Sequence, residues 1–281
     1  MKKWLLLIIL VSFSFLGACS TELTEDAASI EEILNNSIAA MGDLTSYSMT
    51  LESEQTMGSN EDDSITLATK SEMDLLLEPL SFYQNITMNL EMMGIDMSYE
   101  SYFTEDLGFY MEEPFSGQWS KLPDQFNEEY MSLTETQLSP EEQLLPFKDY
   151  ISELAMTEDN DHYTIQLVGS GADMQTLMEH ISGLAGEGMD DMFFDVMSDL
   201  DIHSIEYEFI IEKETYFQKE ANIYLELTMD VMGEKITLEQ RSSVIMYNFN
   251  SLNDFTIPED IINNAVELDD EDFMTDFNFD F

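Results

Sequence analysis

The chain is poor in whatever would bind polyanions or cross-link a fold. Nine lysines and arginines stand against 59 aspartates and glutamates in 281 residues, a formal net charge of −50. Affinity for nucleic acid comes mainly from neutralising phosphates with basic side chains, so DNA and RNA are excluded as partners. A single cysteine leaves no disulfide to staple the domain, which must rest on its core alone. After Cys19 no apolar run reaches the roughly 20 residues that a spanning helix needs. The spacings of enzyme chemistry are missing as well. His162, His180 and His203 are isolated, without the His-x3-His or His-Glu-x-x-His pattern of a zinc site. Gly169-Ser170-Gly171 lacks the wider frame of a nucleophile elbow and reads as a turn. Acid pairs are too frequent for any one to stand out as general acid and base. Asp276-x-Asn278-x-Asp280 has calcium-loop spacing without the glycine and the closing bidentate glutamate. The reading is a non-enzyme with no catalytic residue, no metal site and no cofactor.

What is present places the chain among folded proteins. Apolar residues at 44% and aromatics at 11% can offset ordering entropy by burial, which acidic disordered chains cannot. The start reads as an export signal: Lys2 and Lys3, an apolar run from Trp4 to Val11 continuing through Phe13 and Phe15 to Leu16, then Leu16-Gly17-Ala18-Cys19. That last tetrapeptide resembles the bacterial lipobox. The resemblance implies cleavage after Ala18 and covalent diacylglycerol on Cys19, the only group the chain is expected to carry. Two acyl chains anchor stably where one is marginal. The expectation is a monomeric domain held at the extracytoplasmic face of the cell membrane, tethered by 19–28, an acidic spacer, once 1–18 is removed.

From Ser29 the pattern becomes helical. Ser29 and Glu32 make a capping box, Ile30, Ile33, Leu34, Ile38 and Met41 recur at helical spacing, and Gly42 stands at the expected C-cap. The period then falls to two, predicting strands over 45–57, 64–77, 80–92 and 95–104, with short strands near 107–112 and 117–121. Their short connections permit hairpins and forbid parallel crossovers. Helix is predicted over 124–134, and again from Ser139-Pro140 with Pro146 kinking or splitting it. A hairpin over 153–168, a helix over 172–184 and a mobile insertion or short helix over 185–199 follow. Three long strands (201–213, 217–231, 235–249) and a short helix from Ile257 to Ala265 complete one domain over 29–266. Residues 267–281 read as a disordered acidic and aromatic tail.

One helix, a long meander, a central helical pair and three closing strands resemble the LolA-like and LppX-like lipoprotein carrier fold, within it an uncharacterised Gram-positive lipoprotein family. The likeness is carried by the lipobox, Glu31-Glu32-Ile33-Leu34 to Tyr47-Ser48-Met49, Gly117-Gln118-Trp119-Ser120-Lys121-Leu122-Pro123, Ser139-Pro140 and Ile257-Pro258-Glu259. It implies an α+β fold: a strongly curved antiparallel sheet, a half-open barrel of about 11 strands, with helices on its concave face and a greasy cleft for a lipid or other hydrophobic ligand. The cleft candidates are the apolar strand residues Met49, Leu51, Ile86, Met88, Leu90, Met97, Tyr99, Phe103, Leu225, Leu227 and Met229. Methionine, 21 in all, adapts to variable ligands, and it also serves plain core filling. The alternative is a non-enzymatic cell-envelope interaction module with a filled core, whose acidic surface gathers divalent cations diffusely.

Overall fold

The computed structural model describes residues 28–60, 63–90, 94–123, 139–171, 174–177, 200–231 and 233–268. The lipobox with Cys19, the helix over 124–134, the insertion over 185–199 and nearly all of the tail lie outside these residues. The elements are α1 (Ile30–Gly42), β1 (Ser46–Gly58), β2 (Ile65–Leu77), β3 (Leu80–Leu90), β4 (Ile95–Thr104), β5 (Gly108–Glu112) and β6 (Trp119–Lys121). A 3-10 segment (Leu145–Tyr150), β7 (Ala155–Glu158), β8 (His162–Gly169), β9 (Asp201–Glu212), β10 (Gln218–Val231) and β11 (Glu234–Tyr247) follow, then α2 (Glu259–Asn264) and β12 (Val266–Glu267).

The fold is α+β, built on one open sheet in the order β12-β6-β5-β4-β3-β2-β1-β11-β10-β9-β8-β7. Every neighbouring pair is antiparallel except β12 against β6. The meander follows from the short turns, and β11 returning beside β1 joins the two halves. The twelfth strand is the two-residue β12, too short to leave a period in the sequence.

Side chains alternate between two faces. One face carries an apolar row, Tyr47, Leu75, Phe82, Phe103 and Phe109 standing side by side across β1 to β5, and Ser53, Ser71, Gln84, Ser101 and Ser242 interrupt the same face further along the strands. The strand ends at Ser46, Leu80 and Gln218 form the near end of the sheet, and those at Gly58, Leu90 and Val231 the far end. At the near end α1 lays Ile33, Leu34 and Met41 into the apolar face, all fully buried. The Gln218 amide donates to Met41 Sδ at 3.3 Å. Phe147 of the 3-10 segment packs edge-on against Tyr207 and Phe209, with ring centroids 5.0 and 4.6 Å away.

Two local expectations are corrected. Gly42 lies inside α1, and Asp43 is the C-cap, its N–H reaching Ala39 O at 3.2 Å. The Ser139-Pro140 start leads into successive i to i+3 turns (Glu142 N to Ser139 O, Leu144 N to Glu141 O, Phe147 N to Leu144 O). Pro146, with no N–H and a ring that crowds the preceding turn, keeps this stretch from becoming a regular α-helix.

Among the described residues, the segment after β11 covers the near end of the polar face. After β11, Asn248 and Asn250 take left-handed conformations (φ 55° and 53°), which asparagine tolerates better than most residues. The chain thereby turns back across β1, where Asn250 N donates to Ser46 O at 2.8 Å. It then lays Phe255, Ile257 and Ile261 against Tyr102, Tyr110 and Trp119.

Candidate functional site

Among the described residues, the far halves of β1 to β4 keep apolar side chains only half-buried, whereas Ile202, Leu227 and Leu238 on β9 to β11 are buried. By register the eleven cleft candidates share the apolar face. They do not share one environment. Phe103 is core, fully buried between Phe82 and Phe109. Leu225 and Leu227 are buried with Ile202, Ile205 and Leu238, and Met229, opposite Ile236, is half-buried. Met49 is half-buried against the core between Met73 and Met246. The remaining six are half-buried: Ile86, Met88, Leu90, Met97 and Tyr99 together on the far halves of β3 and β4, with Ile86 opposite Tyr99 and Met88 opposite Met97, and Leu51 at the middle of β1, across Ser71 from Ile86. Burial holds the Tyr99 phenol above its ordinary value. Sequence reading missed Ile65, Leu67 and Ile95, which join this patch and share its alternation.

A second surface was not predicted. A trough of about 860 Å3 runs across the polar face, touched by seven consecutive strands from β3 to β8. Its floor is two adjacent rows set by register. In one, Ala68, Glu54, Arg241, Tyr224, Glu206 and Val168 stand across β2, β1, β11, β10, β9 and β8. In the other the same strands place Lys70, Glu52, Ser243, Asn222, Glu208 and Gln166. Thr87 and Asn89 of β3 extend the rows at one end.

Most of these groups hold one another. Glu208 accepts from Gln166 Nε2 at 2.7 Å and from Asn222 Nδ2 at 3.1 Å. Lys70 lies 3.0 Å from Glu72 and 3.9 Å from Glu52, and its hydrogen bond to Glu72 raises its pKa. Arg241 pairs with Glu239 and sits 4.8 Å above the Tyr224 ring. Burial, then the hydrogen bond to Glu226, lifts the Tyr224 phenol. Glu54 and Glu206 have no such partner among the described residues. No periodicity marks this trough, because any solvated face alternates in the same way. Only the pairing of β1 with β11 and of β9 with β10 brings its carboxylates into rows.

Among the described residues no three metal-ligating side chains come together, and no helix is long and apolar enough to cross a membrane.

No curated protein sequence matches the chain. Among solved structures it is similar to lipovitellin, studied for its lipid–protein interactions, at 8% identity and a TM-score of 0.31 over 77% of this chain; the match spans only 26% of the lipovitellin chain. A LolA superfamily protein from Nitrosomonas europaea matches at 9% identity and a TM-score of 0.20, covering 84% of this chain and 97% of that one. A putative outer membrane lipoprotein-sorting protein domain from Vibrio parahaemolyticus does so at 10% identity and 0.17, covering 83% and 96%. A family model described as a family of unknown function (DUF6612) matches residues 29–266, and the chain belongs to that family.

Proposed function

We propose that the protein is an extracytoplasmic lipoprotein, tethered through Cys19, that holds a lipid or another hydrophobic ligand against the far half of the apolar face of β1 to β4. The burial gradient along single strands carries this reading. On β3, Phe82 is fully buried, whereas Ile86, Met88 and Leu90, on the same face and further along, are half-buried. Gln84, bonded to Ser71 at 3.0 Å, separates this patch from the core, and a partly exposed apolar surface is where an acyl chain gains most from leaving water, about 0.8 kcal/mol per buried methylene. The cross-strand Met88–Met97 pair suits ligands of variable shape. The role is binding rather than catalysis.

The purified full chain, extracted from membranes in mild detergent and examined by native mass spectrometry, is expected to carry lipid. Met88→Asp with Met97→Asp places two charges on the patch and is expected to weaken a fluorescent acyl probe at least tenfold. A chain recovered bare, or a probe indifferent to both substitutions, rejects the reading. Anchoring is tested separately by Cys19→Ala, which is expected to leave the membrane fraction or remain uncleaved; a processed Cys19→Ala chain retained on membranes rejects it.

A further inference from the structure

Charged residues make up 24% of the chain, yet among the described residues the register sets none on the apolar face of β1 to β5. Lys70 of β2 and Lys121 of β6 stand on the other face, level with Glu52 and Tyr110. The polar groups that do interrupt the apolar face are all neutral, and they form a seam. Ser101, Gln84 and Ser71 step diagonally across β4, β3 and β2, and the hydroxyls of Ser53 and Ser242 continue it on β1 and β11, 2.9 Å apart. Part of the seam is unsatisfied. Gln84 Nε2 donates to Ser71 Oγ at 3.0 Å, but the Gln84 carbonyl oxygen and the Ser101 hydroxyl, on residues directly opposite one another, have no partner among the described residues. Ser101 is only 2% exposed, so its hydroxyl is nearly cut off from water with no hydrogen bond in exchange, an exception among buried polar groups. These two residues form a corner at the inner end of the Ile86, Met88 and Leu90 patch, between it and Phe82 and Phe103.

Given the far patch as the ligand surface, we propose that its occupant is an uncharged amphiphile, an acyl chain joined through an ester or amide to a hydroxyl-bearing head, and that Gln84 and Ser101 bind that head. Three features select it. Four residues from Ile86 to Leu90, at about 3.4 Å each, give the patch a length of about 14 Å, close to half of the roughly 30 Å hydrocarbon core of a bilayer and so to one acyl chain. The corner lies against the core, so a head bound there leaves water. A carboxylate or phosphate in that place meets no cation and an ammonium meets no carboxylate, and a charge desolvated without a partner is far more costly than a hydrogen-bonded neutral group. The open capacities of the corner are one donor and one acceptor: an ester or amide carbonyl accepts from the Ser101 hydroxyl, and a head hydroxyl donates to the Gln84 oxygen. A plain hydrocarbon leaves both unmet.

The test sets three competitors with the same 12-carbon chain, 1-lauroylglycerol, laurate and dodecylammonium, against the hydrophobic fluorophore diphenylhexatriene bound to the purified full chain, at pH 8 and 0.15 M salt and below their micellar concentrations. The neutral ester is expected to compete at least tenfold more strongly than either ion. Gln84→Leu with Ser101→Ala removes the corner and keeps the apolar surface, so the fluorophore should still bind while the margin of the ester over laurate falls at least threefold. A fluorophore that does not bind, or that none of the three displaces, rejects the patch as a ligand surface. Laurate competing as well as the ester overturns the uncharged class and leaves the patch standing. Dodecylammonium competing better than the ester assigns the selection to the net charge of the chain and overturns it equally. A margin unchanged in the double variant overturns the assignment to Gln84 and Ser101.

Discussion

Two buried tyrosines show how single residues tie this protein to pH. Burial, reinforced by the nearby Glu141 carboxylate, raises the pKa of Tyr47, and burial alone raises that of Tyr207. A group whose folded pKa is raised favours the fold in its protonated form. Its stabilisation is complete below the unfolded value near 10 and is lost as pH climbs from there toward the folded value. While the unfolded phenolate forms and the buried phenol stays neutral, each such tyrosine removes about 1.4 kcal/mol per pH unit. Urea midpoints from pH 8 to 11.5 are expected to hold up to about pH 10 and then fall. Tyr207→Phe, which keeps the ring against Phe147, should flatten the fall. A variant as steep as the parent would show that Tyr207 does not carry the effect. At this scale the sequence was least informative: nothing in the alternation of β9 distinguishes buried Tyr207 from Tyr99, which shares the same kind of strand pattern and is only half-buried.

At the scale of elements, α1 and β3 make the most direct tests. The Ser29 hydroxyl accepts from the Glu32 amide at 3.1 Å, and Ser29→Ala is expected to cost about 1 kcal/mol in chemical denaturation. On β3, Phe82→Ala should cost about 3 to 5 kcal/mol through the cavity it leaves, whereas Ile86→Ala, further along the same face and half-buried, should cost well under half of that. Equal losses would mean that the far half is as closely packed as the near half, and the proposed ligand surface would go with it. The elements themselves were largely legible because their periods are clean: α1 and strands β1 to β11 follow from where the apolar period changes between 3.6 and 2. Their pairing was legible only for hairpins, where a short turn forces neighbours together. The return of β11 beside β1, with Leu51 opposite Val244, spans nearly two hundred residues, and no local signal fixes it. The trough depends on that return, since it sets Glu54 beside Arg241. This is why the apolar patch could be named from sequence and the polar trough could not.

For the whole molecule, charge decides how stability responds to the solution. With 59 acids and nine basic residues, even complete pairing of every cation leaves most carboxylates facing one another, so folding gathers like charge into a smaller volume. The ion pairs described are largely exposed, among them Lys70 with Glu72 and Lys213 with Glu158 at 2.5 Å; such exposed pairs are worth at most about 1 kcal/mol each. Added salt weakens attraction and repulsion alike, but repulsion has far more members, so the net effect must be stabilising. The screening length falls from about 30 Å at 0.01 M to about 10 Å at 0.1 M and about 3 Å at 1 M. The first step removes repulsion between distant parts of the sheet, and the second acts only between close neighbours. The melting temperature is therefore expected to rise by several degrees between 0.01 and 0.1 M sodium chloride and much less beyond. Calcium at matched ionic strength should raise it further, because a divalent ion collects between carboxylates that a monovalent ion only screens. A melting temperature that falls as salt is added would show that the few ion pairs outweigh the repulsion. Calcium and sodium acting identically at equal ionic strength would leave screening as the whole effect and rule out divalent binding on this surface.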